Sequence, residues 1–189
     1  MELKYMFLND IDESEVEKFI SAAPKNLQDR INRYKQKSDR LRSAIGYMLV
    51  ENLYCEAFST IKCPPILFTQ KGKPYFENNP VYFSVSHSGN LIVCALNETE
   101  IGIDIEEITE FNPKLIDRVC SITEKEYIGA SKSKFFEIWT AKEAYSKILG
   151  EGLSIGLKNI AIDIENGFAA TKKLNVIKVE NYIISTVYN

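Results

Sequence analysis

The segment that decides the fold reads Ile101-Gly102-Ile103-Asp104-Ile105-Glu106. Apolar and polar residues alternate along it, and successive side chains of a β-strand point to opposite faces. A strand here would place Asp104 and Glu106 on one face and the isoleucines on the other. Two converging carboxylates repel each other unless a cation lies between them, so the pair is a natural ligand set for Mg²⁺. A solvent-facing edge strand would show the same alternation, and both interpretations stay open at this point.

A helical pattern follows from Lys134 to Leu149. Its apolar stripe, which we expect to face the core, consists of Phe135, Ile138, Ala141, Tyr145 and Ile148. Trp139, Glu143 and Lys147 recur every four residues and therefore lie along a neighbouring stripe at the border of the core. An i,i+4 pair of Glu and Lys is also common on exposed helices, where it contributes only ~0.2–0.5 kcal/mol. The carboxylate strand that precedes this helix, and the chain's only Trp within the same stripe, favour a site over an exposed pair.

The first half of the chain opens with a predicted strand at Leu3–Leu8 and a predicted helix from Asp12 to Ile20. A longer helix follows, for which Ser38 or Asp39 would serve as the N-cap. Its apolar positions recur at three- and four-residue spacings and are Leu41, Ala44, Ile45, Met48, Leu49 and Leu53. Short runs rich in β-branched and aromatic residues then predict strands at Ile66–Thr69, Tyr82–Ser86, Leu91–Asn97 and Gly102–Glu106.

The second half repeats this order of elements. Its helix is expected to stop at Gly150 and Gly152, and three strand-like runs follow at Leu157–Ile164, Leu174–Val179 and Tyr182–Val187. Helix followed by antiparallel strands, twice, predicts an α+β fold of two similar α/β halves, a pseudo-repeat in which each half packs a helix on an antiparallel sheet. The expected halves are residues 1–100 and 101–189.

Composition excludes several classes of protein. The 189 residues are 45% hydrophobic and 26% charged, and no stretch approaches the ~18 apolar residues that span a bilayer. A net charge of −3 argues against a general nucleic-acid binder. The N-terminus lacks the pattern of a secretory signal, so we expect a cytoplasmic protein. Cys55, Cys63, Cys94 and Cys120 form no C-x-x-C pair, which favours inert thiols over a zinc or redox site.

Local charge departs from this acidic average. The stretch from Lys25 to Arg42 holds seven basic and two acidic residues, a net charge of +5. Such a stretch indicates either an anionic ligand or acidic partner, or an ordinary solvated helix face. Arg40 and Arg42 lie at the expected start of the long helix, where basic residues oppose the helix dipole. This arrangement favours a phosphate near that helix end.

A loop of small polar residues holds the only histidine of the chain. Ser86-His87-Ser88-Gly89 can present hydroxyls, amide groups and an imidazole to an anion, although a lone histidine is more often structural. Gly72-Lys73-Pro74 adds a cation in a predicted tight turn. Both segments are candidates for phosphate contacts.

Four motifs together resemble a known family. Gly-Lys-Pro at 72–74, Ser-His-Ser-Gly at 86–89, Gly-Ile-Asp-Ile-Glu at 102–106 and Trp-Thr-Ala-Lys-Glu-Ala-Tyr-Ser-Lys at 139–147 occur in the order and approximate spacing of the Sfp-type 4′-phosphopantetheinyl transferases. The resemblance covers most of the chain. It implies an enzyme that moves the 4′-phosphopantetheine arm of coenzyme A to a serine of an acyl or peptidyl carrier protein and releases 3′,5′-ADP.

The resemblance implies a role for each residue of the carboxylate site. Asp104, Glu106 and Glu143 are expected to bind Mg²⁺, which grips the coenzyme A pyrophosphate. Lys147 is expected to contact the same phosphates and to assist the leaving group. Glu143 is the favoured general base, with Glu124 or a water molecule as the alternatives.

The resemblance also implies the contacts to coenzyme A. Ser86 and His87 are expected at its phosphates, with His87 in the catalytic group, and Lys73 and Arg42 at its nucleotide end. The N-terminal half would thus contact the nucleotide, the C-terminal half would hold the metal, and the site would lie between the halves of a monomer. Separately from the resemblance, some hydrophobic exposure is expected near Cys120 to Ile128, and the surface that receives the carrier is left open.

Two other functions remain as alternatives. One is a non-catalytic protein that binds a carrier or coenzyme A, and the other is a metal-dependent phosphohydrolase that uses the same carboxylates. The joint presence of Asp104, Glu106, Glu143 and Lys147 argues against pure binding, and release of phosphate without carrier modification would identify a hydrolase.

Overall fold

The structure is a computed structural model that describes residues 1–78, 80–150 and 156–189. It divides into two compact units, Met1–Thr99 and Glu100–Asn189. Each unit combines helices with antiparallel strands. The α+β class that the sequence predicts is therefore confirmed.

The first unit contains, in its described part, three helices and five strands. In chain order they are β1 (Glu2–Phe7), α1 (Glu13–Ala22), α2 (Lys25–Ile31), α3 (Lys37–Ala57), β2 (Ile66–Phe68), β3 (Pro74–Phe76), β4 (Tyr82–Ser88) and β5 (Leu91–Asn97). Strands β1, β5 and β4 form one antiparallel sheet, and β2 and β3 form a separate hairpin. Helix α3 packs on the larger sheet, where Gly46 lets it approach the side chain of Val85.

The second unit has the same organisation. Its described elements are β6 (Ile101–Glu107), α4 (Lys114–Val119), α5 (Ile122–Ile128), α6 (Lys132–Leu149), β7 (Ile162–Asp163), β8 (Phe168–Ala169), β9 (Lys172–Val179) and β10 (Tyr182–Tyr188). The sheet order among these strands is β6-β10-β9-β8-β7, and every pairing is antiparallel. Helix α6 packs on β6 and β10.

The internal repeat is visible in the order in which the strands pair. In each unit the opening strand pairs with the closing strand, which in turn pairs with the strand before it: β1-β5-β4 in the first unit and β6-β10-β9 in the second. In both units the long helix packs on the opening and closing strands. The predicted pseudo-repeat of a helix on an antiparallel sheet is thus present in the topology, although the two halves share no visible sequence identity.

The ends of the two long helices test the predicted caps. Helix α3 begins at Lys37, and its N-cap residue Gln36 makes no side-chain cap bond. The prediction that Ser38 or Asp39 caps this helix is wrong, because both side chains accept hydrogen bonds from Arg42 one turn further on. At the end of α6, Gly150 adopts a left-handed conformation with φ 66°, as predicted. The other predicted stop, Gly152, lies outside the described residues.

Two further predictions about secondary structure fail. The run Leu157–Ile164 is a 3₁₀ turn at Leu157–Asn159 followed by the two-residue strand β7. The carbonyls of Leu157 and Ile160 accept hydrogen bonds from the Lys142 side chain, which takes them away from any strand ladder. The short helices α2, α4 and α5 were also missed. For α5 the sequence carried a signal, because Ser121 and Glu124 form a capping box.

The cysteines form no disulfide. Burial raises the pKa of the Cys63 and Cys94 thiols to about 12 and that of Cys120 to about 11, so these thiols stay protonated at neutral pH. The inert thiols predicted from the spacing are consistent with these values. Among the residues described, no helix is long and apolar enough to cross a membrane.

Candidate functional site

A close approach between β6 and α6 builds the candidate site in the second unit. A β-carbon added to Gly102 would lie 1.9 Å from the carbonyl oxygen of Ala144, so only glycine allows the helix backbone to lie this close to the strand. Because side chains alternate along β6, Asp104 and Glu106 share the face on which Gly102 meets α6. Ile103 and Ile105, on the opposite face, are buried.

Lys147 joins the two elements directly. Its Nζ donates to Oδ1 of Asp104 at 2.8 Å and to the carbonyl oxygen of Ile103 at 2.8 Å. Asp104 is buried, and Lys147 keeps 31% of its side chain exposed. The ammonium group therefore neutralises a buried carboxylate at the contact between β6 and α6, which we call the seam, while part of the Lys147 side chain remains exposed.

Glu143 lies one helical turn before Lys147 on the same stripe and is half-buried. Its pKa rises from the ordinary 4.5 to about 7, chiefly because burial disfavours the charged form. The negative charge of Asp104 raises it further, Lys147 opposes the rise, and Glu106 adds a smaller increase. Glu143 is thus close enough to both Asp104 and Glu106 to be repelled by each of them. A site with this property gains stability from a cation.

The donor set suits Mg²⁺ in its chemistry, because hard carboxylate oxygens are the ligands that this ion prefers. Within residues 1–78, 80–150 and 156–189, no group of three or more His, Cys, Asp or Glu side chains is arranged so that it could hold a metal ion. The fit therefore rests on the mutual repulsion around Glu143 and on the oxygen donors. Lys147 already holds Asp104 in place within that set.

A buried hydroxyl pair lies next to the carboxylates. Ser185 on β10 stands opposite Asp104 in the strand register, and its Oγ lies 2.7 Å from Oγ1 of Thr140 on α6. Thr140 Oγ1 also donates to the carbonyl oxygen of Phe136 at 2.8 Å. Both hydroxyls are fully buried, so this contact fixes α6 against β10 one turn before Glu143. The sequence analysis did not single out either residue.

Glu124, which the sequence offers as an alternative general base, is buried and bonded to neighbouring residues. It is 3% exposed, and its Oε2 accepts the backbone N–H of Ser121 at 2.7 Å. Its Oε1 accepts the N–H of Ile162 at 3.1 Å and lies 2.9 Å from Nζ of Lys142. Both oxygens of this carboxylate are thus engaged by hydrogen bonds and an ion pair, and a role for Glu124 as general base stays a prediction.

Lys142 completes the buried pair and was also missed. Lys142 is fully buried. Burial lowers the pKa of its ammonium group, and the nearby Glu124 carboxylate opposes this shift without outweighing it. A signal was present in the sequence, because Lys142 lies four residues after Ile138 and seven after Phe135, in the predicted core stripe.

The first unit brings Arg42 to the histidine loop. Arg42 Nη1 donates to the carbonyl oxygen of Gly89 at 3.1 Å, and Gly89 forms the turn between β4 and β5. Ser86 and His87 lie at the end of β4 just before that turn, and both are half-buried. Three of the predicted coenzyme A contacts are therefore adjacent in this unit.

Lys73 lies in the turn of the β2–β3 hairpin. Its backbone N–H donates to Thr69 Oγ1 at 3.1 Å, and Gly72 has a positive φ of 84°. The guanidinium of Arg30 lies against Gly72, with Nη1 3.3 Å from the place of a β-carbon there. Lys73 and Arg30 thus share one end of the hairpin.

Much of the basic stretch is neutralised within the first unit. Acidic partners are in contact with four of its seven basic residues, in the pairs Lys25–Asp29, Lys37–Glu13, Arg40–Glu17 and Arg42–Asp39. Helix α1 supplies two of these partners, Glu13 and Glu17. The solvated helix face therefore accounts for Lys25, Lys37 and Arg40, whereas Arg42 also reaches the histidine loop.

Protein-family comparisons cover nearly the whole chain. Residues 10–99 match the family model described as 4′-phosphopantetheinyl transferase, N-terminal, and residues 100–186 match that of the 4′-phosphopantetheinyl transferase superfamily. The chain belongs to the 4′-phosphopantetheinyl transferases. The resemblance inferred from the four motifs is confirmed, and the chain is a transferase.

Individual transferases of this family align over most of both chains. The 4′-phosphopantetheinyl transferase gsp of Aneurinibacillus migulanus is 33% identical over 164 residues, which span 82% of this chain and 68% of gsp. The 4′-phosphopantetheinyl transferase Sfp of Bacillus subtilis strain 168 is 29% identical over 159 residues, 80% of this chain and 71% of Sfp. The L-aminoadipate-semialdehyde dehydrogenase-phosphopantetheinyl transferase of Candida glabrata is 27% identical over 186 residues, 90% and 71% of the two chains. These names do not favour the non-catalytic or hydrolase alternatives.

One exposed surface of this transferase combines an apolar residue with basic ones. Ile122 at the start of α5 is 77% exposed, whereas Cys120 and Ile128 are buried. Nearby, Lys125 Nζ contacts Asp117 Oδ1 at 2.6 Å and Lys158 Nζ donates to the Asp117 carbonyl oxygen at 3.3 Å. We name the α4–α5 surface by its residues Lys114, Arg118, Ile122, Lys125 and Lys158.

Proposed function

We propose that the chain transfers the 4′-phosphopantetheine arm of coenzyme A to a serine of an acyl or peptidyl carrier protein in an Mg²⁺-dependent reaction. The observation that carries this proposal is the seam between β6 and α6, where Asp104 and Glu106 both repel Glu143 beside Lys147. The release of 3′,5′-ADP completes the reaction.

Asp104, Glu106 and Glu143 would hold the metal ion. Mg²⁺ bound there supplies charge neutralisation to the pyrophosphate and to the leaving group. The rise in the pKa of Glu143 supports this assignment, because a carboxylate that is difficult to ionise next to two others is stabilised by a bound cation.

The chain's own residues would carry the rest of the reaction. The serine oxygen forms a bond to the β-phosphorus as the bond from that phosphorus to the bridging oxygen breaks, and 3′,5′-ADP leaves with the electron pair. Glu143 would accept the serine proton, directly or through a water molecule. Lys147 would donate hydrogen bonds to the departing phosphate through the exposed part of its side chain.

Coenzyme A would be held by the first-unit residues as well. Ser86, His87 and Arg42 are adjacent around the β4–β5 turn, which supports an anion-binding role for that turn. Lys73, at the end of the β2–β3 hairpin beside Arg30, would contact the nucleotide end. His87 would serve the phosphates at the reaction centre.

The carrier protein would dock on the α4–α5 surface. Carrier helices typically present acidic residues, and the basic side chains around Ile122 supply complementary charge with an apolar centre. We also propose that the enzyme acts as a monomer in the cytoplasm.

Mass spectrometry of an apo-carrier tests the function. Incubation with the protein, coenzyme A and Mg²⁺ should add about 340 Da to the carrier, the mass of one transferred arm. Asp104→Asn and Glu143→Gln should abolish this gain while the proteins stay folded, and Asp163→Asn, which removes an exposed carboxylate in the same unit, should not. Near wild-type transfer by Asp104→Asn would refute the metal site, and phosphate release without a mass gain would identify a hydrolase.

A further inference from the structure

The Lys142–Glu124 ion pair joins three parts of the second unit. Lys142 Nζ donates to the carbonyl oxygens of Leu157 at 2.9 Å and Ile160 at 2.7 Å, and it lies 2.9 Å from Glu124 Oε1. These three oxygens satisfy the three donors of the ammonium group. The side chains of Lys142 and Glu124 are 0% and 2% exposed. One side chain of α6 is therefore held at a fixed position within the core.

Glu124 extends this contact to two further elements. Its Oε2 accepts the N–H of Ser121 at the start of α5, and its Oε1 accepts the N–H of Ile162 at the start of β7. The capping box of α5 thus ends on the same carboxylate that pairs with α6. A displacement of α6 would break hydrogen bonds in the core on this side of the helix.

Stability alone does not explain such a pair. Two buried charges cost about as much to desolvate as their attraction returns, and apolar residues of similar volume often serve a fold equally well. Hydrogen-bonded charges differ from apolar packing in being directional, because each of the bonds to Lys142 fixes a distance and an angle. The pair restricts how α6 can rotate about its axis.

That restriction reaches the candidate site through the next residue. Successive residues of a helix project about 100° apart, so Lys142 points into the core while Glu143 points towards the carboxylates of β6. A carboxylate roughly 6 Å from the helix axis moves by about 2 Å when the helix turns by about 20°. Mg²⁺ requires near-ideal octahedral ligands at about 2.0–2.1 Å, so a shift of that size removes a ligand.

We propose that the Lys142–Glu124 pair is a positioning device that fixes the rotation of α6 and so holds Glu143 in register with Asp104 and Glu106. Lys142 and Glu124 are positioning residues, since neither is exposed to a substrate. The proposal rests on the metal site of the proposed function. Of the two successive residues, Lys142 is anchored in the core and Glu143 faces the candidate site.

Direct metal binding tests the proposal without relying on activity. Lys142→Met and Glu124→Gln each leave one buried group without its charged partner, so each single variant should be less stable to urea than the wild type. The double variant Lys142→Met/Glu124→Gln removes both charges at nearly constant volume but leaves the Leu157 and Ile160 carbonyls without this donor, so it should regain only part of that stability. Its dissociation constant for Mn²⁺, measured by electron paramagnetic resonance, should still be roughly tenfold weaker than that of the wild type.

Two controls separate positioning from general loosening of the fold. Leu174→Ala opens the core of the same unit on β9, which does not pair with β6, and it leaves the ion pair intact; it should keep wild-type Mn²⁺ affinity despite its lower stability. Asp104→Asn should lose Mn²⁺ binding. Wild-type affinity in the double variant overturns the positioning role alone, whereas unchanged affinity in Asp104→Asn overturns the metal site and the positioning role together.

Discussion

The carbonyl oxygen of Ala144 occupies the place where a side chain on Gly102 would begin. Helix α6 therefore lies against the backbone of β6 at this point, with no side chain between them. Lys147 bridges the same two elements by its bonds to Asp104 and Ile103. The glycine of the Gly-Ile-Asp-Ile-Glu motif thus sets the distance between the strand and the helix that carry the candidate ligands.

The first prediction concerns this contact. Gly102→Ala should destabilise the protein by about 2–3 kcal/mol, because the obstacle is a helix backbone that cannot turn aside like a flexible side chain. Transfer activity should fall even under conditions where the variant is folded. Urea unfolding and the carrier mass assay measure the two effects.

Gly129 provides a matched control for that variant. It has φ 52° and ψ −120°, which residues with a β-carbon rarely adopt, and no neighbour within 4 Å of an added β-carbon, so Gly129→Ala should cost about 1–3 kcal/mol of backbone strain alone and leave transfer unchanged. Equal activity of Gly102→Ala and wild type would show that the spacing of the seam is not critical.

The second prediction concerns pH in the absence of metal. The folded state raises the pKa of Glu143 from 4.5 to about 7, so it favours the protonated form. The stabilising contribution is complete below about pH 4.5 and is lost as the pH rises through about 7. Glu143→Gln does not titrate. In EDTA, the stability of this variant relative to wild type should therefore increase across that range and level off above it.

Two further measurements check the cause of this pH dependence. Asp104→Asn removes the largest charge that raises the pKa of Glu143, so the pH-dependent difference should shrink in that background. Millimolar Mg²⁺ should stabilise the wild type and not Glu143→Gln. A stability difference that does not vary with pH would mean that Glu143 titrates normally in the folded protein.

The third prediction concerns the carrier. Ile122→Asp places a negative charge at the centre of the α4–α5 surface, where it should repel an acidic helix and raise the KM for the carrier roughly tenfold or more. The KM for coenzyme A should not change. Ile61→Asp is the control, because Ile61 is fully exposed and belongs to the first unit, not to this surface's residues. Equal carrier KM values for the two variants would place the docking surface elsewhere.

The fourth prediction concerns the nucleotide end of coenzyme A. Lys73→Met should raise the KM for coenzyme A more than that for dephospho-coenzyme A if its ammonium group contacts the 3′-phosphate, since only the former ligand carries that charge. Arg40→Met removes a cation that already pairs with Glu17 and should change neither constant. Equal losses with both ligands for Lys73→Met would exclude the 3′-phosphate contact.

The sequence predicted those parts of the fold that depend on periodic patterns. The alternation at 101–106 and the stripes of the helix that ends at Leu149 both correspond to observed elements, because burial on one face enforces a period. Short helices such as α4 lack enough turns to show a period. The irregular course of Leu157–Ile164 depends on hydrogen bonds from Lys142, and such long-range partners leave no local pattern.

The candidate site shows the same division. Motif order identified Asp104, Glu106, Glu143 and Lys147, and the structure brings these four together through Gly102. The buried contacts beside them, Thr140 with Ser185 and Lys142 with Glu124, could not be assigned from one sequence. Polar residues at core positions are ambiguous until their partners across the fold are known.

The pairing of β6 with β10 has a consequence for biosynthesis. The strand that carries Asp104 and Glu106 obtains its hydrogen-bonded neighbour only after the helices and the three strands β7, β8 and β9 have been translated. The first unit, in contrast, has all of its own strands before β6 is made. On the ribosome, the first unit can fold while the second is still an incomplete chain, so the contact between β6 and its neighbours that builds the candidate site forms last.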